Sequence, residues 1–378
     1  MSCLKERFRG SFYVLLILCT AFFLMGMGKR PDTTSIKLGA TFPLTGEVAS
    51  YGQKAKRGIE MAVDDINAKG GVLGRHIEVD FQDDRHDKKE AVTIMTKFAT
   101  IDKVPVVFGS AGSSVSLAIA PLANRHKVIQ ISPISSSSTL TTEGGDYFFR
   151  TVPADDIQAE ILSKWVFESG ARKVAIVYTN NSWGKPLADG FLHKFELLGG
   201  KVVTSEGVQE SMADFRTIIA KLNGMKGLDT VVSPTYPKEG GIFVRQAKEL
   251  GFNIPLFGGD NWGSPEFLKI AGDAAEGVYF TAPSESTSPA FSKFAQQYKA
   301  KHGEEPDVFG AYSYDAAMAI FKAIEAAGTT EAEKVRQALL KVSFTGVSGD
   351  IAFRPNGDLQ SEAFAKKTIK SGQAVDVK

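Results

Sequence analysis

The chain is expected to fold as an α/β protein of two lobes, each built on a parallel sheet, joined by three crossovers. Apolar runs of strand length alternate with segments of helical period over most of the sequence, which is how a parallel layer reads. With 378 residues the chain is too long for one typical core. The alternation also stops and restarts, at Tyr147–Pro153 and again after Pro283, where the chain passes from one layer to another.

The N-terminus precedes this pattern. Lys5-Glu6-Arg7-Phe8-Arg9 is mostly positive, Ser11–Met25 is strongly apolar, and Gly26-Met27-Gly28 is a small-x-small stretch before Lys29. That is the layout of a secretory signal over residues 1–28, and it implies an exported protein. The apolar segment is also long enough to serve, uncleaved, as a membrane tether. Leu18 stands before Cys19 where a lipidation site needs a small residue, so Cys19 is not read as one. Cys3 and Cys19 are the only cysteines, so cleavage leaves a mature chain without disulfides, cysteine nucleophiles or cysteine metal ligands.

The first lobe opens with a strand at Ile36–Thr41. After Tyr51-Gly52 a helix follows, with Ile59, Ala62, Val63 and Ile66 on one face, ending at Gly70-Gly71. His76–Phe81 is a strand and Lys88–Ile101 a helix. Val104–Phe108 is apolar throughout, as a strand covered on both faces should be. A serine-rich turn, Gly109–Ser114, leads into a helix at Val115–Asn124; Val128–Ile131 is the next buried strand and ends in a second serine run, Ser135–Thr139. Tyr147–Pro153 is the first crossover.

A second alternation then begins. Asp155-Asp156 are expected to cap a helix carrying Ile157, Ile161 and Trp165. Strands follow at Lys173–Tyr178, Val202–Thr204, Thr230–Ser233, Ile254–Phe257 and Gly277–Thr281, with helices at Lys185–Leu198, Phe215–Leu222 and Gly241–Leu250 between them. Pro283 and the serines after it make the second crossover. Helices at Pro289–His302, Ala311–Ala326 and Glu331–Lys341 return to the first lobe, and Phe344–Lys378 holds a third crossover and short strands. The expected domains are residues 35–152 with 285–352, and residues 153–284 with 353–378.

Composition excludes several function classes. The net charge is +1, from 44 basic and 43 acidic residues, so nothing points to nucleic acid as partner. There is no G-x-G-x-x-G fingerprint after the first strand and no G-x-x-x-x-G-K-[ST] loop, so no cofactor is expected. The histidines His76, His86, His126, His193 and His302 have no metal-ligand spacing, and the acidic run Asp83–Asp87 reads as a solvated turn. Ser182-Trp183-Gly184-Lys185 matches the S-x-x-K of serine acyl enzymes by chance, without a supporting G-x-S-x-G elbow. No enzymatic activity is expected.

What remains lies beyond the carboxyl ends of the strands, where open parallel sheets bind ligands. The first lobe offers Tyr51, Ser113, Ser114, Ser135 and Ser136; the second offers Trp183, Tyr236 and Asp260. Serine hydroxyls and free N–H groups at a helix start suit a carboxylate, an Asp suits an ammonium, and aromatic rings cover the apolar part of a small ligand. Each has a plainer reading beside it: the serines as N-caps, the tyrosines as core rings, Trp183 as closing a surface turn, and Asp260 as the N-cap of a helix near Pro265–Ile270.

Several stretches resemble the Leu/Ile/Val-binding family, the periplasmic receptors of branched-chain amino acid ABC importers. They include AVDDINAKGG at 62–71, VVFGSAGSS at 106–114, ISPISSSSTLT at 131–141, KVAIVYTNNSWG at 173–184 and PLFGGD at 255–260. The similarity runs from Ile36 to Pro283 and more weakly beyond. It implies the type I periplasmic binding protein fold, two Rossmann-like lobes closing on a ligand by a hinge, with a membrane permease as partner and a monomeric receptor. By motif position Ser113 resembles the serine that receives the amino-acid carboxylate, and Ile134 a main-chain contact with Ser136 two positions on. Tyr51 and Tyr236 resemble cleft aromatics, and Asp260 the acidic residue for the α-ammonium. Trp183 stands where many members have Tyr. His86 and Gly112 stand where some members have a cysteine pair. A small amino acid, branched-chain or related, is the implied ligand; aromatic or aliphatic carboxylic acids, or a sensor coupled to a signalling partner, are the alternatives.

Overall fold

The computed structural model describes residues 35–361 and 364–377. The expected signal at residues 1–28, with both cysteines, lies outside them. Among the described residues no helix is long and apolar enough to cross a membrane.

The first five strands are β1 (Ile36–Phe42), β2 (Ile77–Asp83), β3 (Val106–Gly109), β4 (Ile129–Ser132) and β5 (Phe148–Arg150). They form one sheet in the order β2-β1-β3-β4-β5, parallel throughout. Between them run α1 (Ala49–Asn67), α2 (Lys88–Lys97), α3 (Ser113–His126) and α4 (Ser138–Glu143). Every residue of β3 and β4 is buried, because helices cover both faces; β3 is apolar throughout, and in β4 the buried Gln130 donates to the Gly109 and Ser116 carbonyls.

The second sheet takes β6 (Lys173–Thr179), β7 (Lys201–Val208), β8 (Thr230–Ser233), β9 (Leu256–Gly258) and β10 (Tyr279–Pro283). Its helices are α5 (Asp155–Glu168), α6 (Gly184–Leu197), α7 (Arg216–Asn223), α8 (Pro237–Glu249) and α9 (Pro265–Ala271). The parallel part reads β7-β6-β8-β9-β10, the same winding as the first sheet. In both, the direction of winding reverses beside the first strand laid down. That leaves a crevice at the strand ends of each lobe.

After β10 the chain returns to the first lobe through α10 (Pro289–His302), α11 (Val308–Ala327) and α12 (Ala332–Leu339). Ile320, Ile324, Val335 and Leu339 join the core built on β1, β3 and β4. Helix α1 lies so close to α11 that a Cβ on Gly58 would collide with the Gly310 carbonyl. A hairpin, β11 (Ser343–Thr345) with β12 (Asp350–Ala352), follows. Phe353 and Leu359, past the boundary expected at residue 352, still pack in the first core, with Phe353 edge-on to Phe149 at 5.5 Å. The last strands, β13 (Phe364–Lys370) and β14 (Gln373–Asp376), join the second sheet antiparallel, β13 against β10. That sheet is therefore mixed at one edge.

Three local expectations are corrected. The helix expected at Lys88–Ile101 leaves the α form after Lys97, and Phe98–Asp102 make a π turn ending at left-handed Lys103. The serine run after β4 does not stay a loop: Ser137 accepts from Thr139 N at 3.2 Å and starts α4. Asp155 caps nothing. Extended Ala154 holds the N-cap position of α5 without a side-chain bond, and Asp155 is buried one residue inside the helix.

Candidate functional site

Strand-end segments of both lobes meet around a cavity. The first lobe supplies Tyr51 from α1, Ser113 from α3, and Ile134 and Ser136 after β4. The second supplies Trp183 after β6, Tyr236 after β8, and Asp260 and Asn261 after β9. Val48, His86, Ala111, Gly112 and Phe309 complete the wall.

The two serine runs divide into a framework and a lining. Ser132 Oγ donates to the Ser110 carbonyl at 2.7 Å and accepts from Ser135 N at 2.9 Å. Ser135 Oγ donates to the same carbonyl at 2.9 Å and touches Ser116 Oγ at 2.8 Å. These buried hydroxyls tie the loop after β3 to the loop after β4. Ser135 is thus spent on the framework and does not line the cavity. Ser114 does not line it either; its Oγ accepts from Ser182 N of the other lobe at 3.1 Å.

Ser113 is the first residue of α3, and no side chain caps that helix. Its hydroxyl accepts from Ser137 N at 3.3 Å instead, so the plain capping reading does not describe it. An uncapped helix start beside a hydroxyl is the arrangement that suits an anionic group.

Behind this loop sits Asp84, which is 0 % exposed. It accepts from Ser110 Oγ at 2.6 Å, Thr41 Oγ1 at 3.1 Å and His86 N at 2.9 Å. Burial pushes its carboxyl up despite these bonds. The run Asp83–Asp87 is therefore not a solvated turn. Asp83 accepts from Leu44 N and Thr45 Oγ1, Asp84 anchors the serine loop, and Asp87 caps α2.

On the facing wall Trp183 and Tyr236 stack, with centroids 5.3 Å apart and planes 12° from parallel. Tyr51 is edge-on to Phe309 at 5.4 Å, and its hydroxyl donates across the cleft to Asn261 Oδ1 at 2.5 Å. Asp260 opens a 3-10 turn, Asp260–Gly263. It does not cap the helix beyond. Ser264 does so, accepting from Phe267 N at 3.2 Å. Burial pushes the Asp260 carboxyl up to about 6, against the bond from Asn261 N that favours its charge. Asp155 lies near it, its carboxyl raised by burial and then by the charge of Asp260. Gln158 bridges the two when its amide oxygen accepts from Asp260 N at 3.0 Å and its nitrogen donates to Asp155 Oδ1 at 3.1 Å.

Sequence reasoning had not singled out Val48, Ala111, Asn261 or Phe309 for this wall, and had read His86 only as part of the acidic turn and of a substituted cysteine position. Asn261 adjoins Asp260 and was in reach of the same argument. Phe309 comes from α11, far along the chain, and no local pattern marks it. Among the described residues no group of acidic, histidine or cysteine side chains is arranged to hold a metal ion.

A family model described as periplasmic binding protein matches residues 35–372. A Leu/Ile/Val-binding protein of Rhizobium johnstonii is 33% identical over 344 residues, 90% of this chain and 93% of that protein. The solved structure of a leucine binding protein from Thermotoga maritima superposes with a TM-score of 0.85 at 30% identity, covering 91% of this chain and 98% of that one. A solute binding protein of an ABC transporter from R. palustris, solved with benzoate, shares the fold with a TM-score of 0.82 at 22% identity, covering 91% and 95%.

Proposed function

The chain belongs to the periplasmic binding protein family, whose members bind solutes and do not turn them over, and we propose that this one is the receptor of an ABC importer for a small amino acid, branched-chain or related. Exported by its N-terminal segment, it closes two lobes on the ligand and presents the closed form to a membrane permease. The first lobe takes the carboxylate at Ser113 and the uncapped start of α3, with Ser136 and the Ile134 main chain beside it. The second takes the ammonium at Asp260. Tyr51, Trp183 and Tyr236 cover the side chain.

One observation carries the reading: Asp260 lines the cleft and has no capping duty, since Ser264 performs it. A carboxyl held in a closing cleft without a cation is a cost that an ammonium removes. Calorimetric titration with leucine and with its deaminated analogue, 4-methylpentanoate, tests this. Leucine should bind and the analogue should not. Equal binding of the two would defeat the ammonium role and favour the competing reading, a carboxylic acid held against the Trp183–Tyr236 stack.

A further inference from the structure

Arg150 stands at the end of β5, where the first crossover begins, and its side chain is fully buried. It is not part of the cavity wall, yet its guanidinium holds a segment that is. Nη1 donates to the Ser136 carbonyl at 2.9 Å and to the Ser137 carbonyl at 2.8 Å. Nε donates to Asp358 at 2.7 Å, and Nη2 pairs with the same carboxylate at 2.6 Å and donates to Thr141 Oγ1 on α4. The five donors of the planar fork thus face Asp358 twice, the two carbonyls and Thr141. Asp358 belongs to the third crossover, which is docked at the same place through its backbone. Arg150 N donates to the Gly357 carbonyl at 3.1 Å. Gly357 has a left-handed φ of 82°, and a Cβ there would lie 2.0 Å from the Phe148 carbonyl oxygen.

The two carbonyls belong to the loop that carries the proposed carboxylate contacts. Ser136 lines the cavity, and Ser137 N donates to Ser113 Oγ at 3.3 Å. From the second lobe Asp155 N, at the start of α5, also donates to the Ser136 carbonyl, at 2.9 Å. A buried ion pair is weak evidence for stability, because a well-packed apolar pair of similar volume often serves as well. An apolar pair cannot hold two carbonyls, however, and a lysine has a single nitrogen where the guanidinium presents a rigid fork. We infer that Arg150, with Asp358 behind it, is a positioning residue for ligand binding. By fixing the carbonyls of Ser136 and Ser137 it sets where Ser136 and Ser113 meet the ligand. Affinity then depends on a pair of residues that touches no ligand atom and ties the first crossover to the third. This rests on the reading of Ser113 and Ser136 as carboxylate contacts and deepens it.

The test compares the wild type with the double variant Arg150→Met with Asp358→Leu, with Arg150→Lys, and with Ile324→Ala, a truncation in the first core that lowers stability away from the loop. The double variant should fold, because neither charge is left without its partner. Leucine affinity is read by calorimetry, and hydrogen exchange of residues 133–140 is read in the empty protein. The double variant should bind leucine about five-fold or more weaker and exchange faster at 133–140, while β3 and β4 stay protected. Arg150→Lys should lose less of the affinity, and Ile324→Ala should match the wild type in both measurements. A double variant that binds leucine as tightly as the wild type, with unchanged exchange at 133–140, overturns the inference. So does an Ile324→Ala protein that loses affinity equally, since the effect would then follow stability alone. Should the double variant fail to fold, Arg150→Lys decides by the same two measurements. If leucine does not bind the wild type while 4-methylpentanoate does, the amino-acid reading fails; the comparison is then made with 4-methylpentanoate, whose carboxylate meets the same loop. Exchange at 133–140 needs no ligand, so it judges Arg150 whichever compound binds.

Discussion

The carboxyl of Asp260 gives the proposed site a pH dependence whose sign depends on the ligand. Burial pushes its pKa up to about 6. It is mostly ionised at pH 7 and mostly protonated at pH 5. Only the ionised form pairs with an ammonium, so affinity for an amino acid scales with the ionised fraction and should fall about ten-fold from pH 7 to pH 5. A plain carboxylate meets the opposite situation. Ionised Asp260 repels it, so its binding should strengthen over the same interval. Asp260→Asn should flatten both profiles and weaken amino-acid binding by about 2–5 kcal/mol, the cost of truncating one partner of a buried charged pair.

The empty protein should respond in the other direction. The folded pKa is raised above the unfolded value, so the folded state binds the extra proton between about pH 4 and pH 6. Stability falls as pH rises through that window. At pH 7 Asp260→Asn should therefore stabilise the empty protein, by at most about 3 kcal/mol and by less insofar as the cleft admits water. At pH 4 the difference should vanish. Calorimetric titration at pH 5, 6 and 7, with melting curves of the empty proteins, measures both. Amino-acid affinity that stays flat from pH 7 to pH 5, with Asp260→Asn binding as tightly as wild type, would refute the reasoning.

Ser113→Ala should weaken binding by roughly 1.5–3 kcal/mol through the loss of one hydrogen bond to a charged group, with the melting curve intact, as read by calorimetry. Arg150 is fully buried and bonded to Asp358 through Nε at 2.7 Å and Nη2 at 2.6 Å. Asp358→Ala leaves that guanidinium uncompensated and should cost about 3–5 kcal/mol in urea unfolding. N-terminal sequencing of exported protein should find cleavage near Gly28; material beginning at Met1 would instead indicate a tethered form.

The lobes were legible because their signal is local and repeated. Strands buried on both faces read as apolar runs, and the helices between them keep the 3.6-residue period. Beyond the strand ends legibility depended on what each side chain finally meets. Ser113 and Ser135 are equivalent as letters, yet one lines the cavity while the other is 1 % exposed and bonded to Ser110. Asp155 reads as a cap and Asp84 as solvated, yet both are buried carboxyls beside the site. Their fate is set by neighbours remote in sequence, Asp260 in one case, Ser110 and Thr41 in the other. The closing hairpin was legible only as short strands. Lysines on half-exposed β13 give no sign that it pairs antiparallel with β10.

On the proposed reading those neighbours also determine how closure answers to a ligand. The ties across the cleft are few and polar. Tyr51 donates to Asn261, Ser182 N donates to Ser114 at 3.1 Å, and Glu47 pairs with Lys238 and accepts from Ser211 Oγ at 2.9 Å. Buried hydrogen bonds of this kind contribute about 1 kcal/mol each, and the exposed Glu47–Lys238 pair less. Against them stand buried acids without a cation: the raised carboxyls of Asp260 and Asp155, with a partnerless Asp155 Oδ2. On that reading the ligand acts through these acids. Its ammonium meets Asp260, removing a cost specific to the closed state, and a ligand shifts a two-state equilibrium only through such differential interactions. A compound that filled the same volume without an ammonium would gain the apolar contacts, leave the cost in place, and bind with the lobes less fully closed.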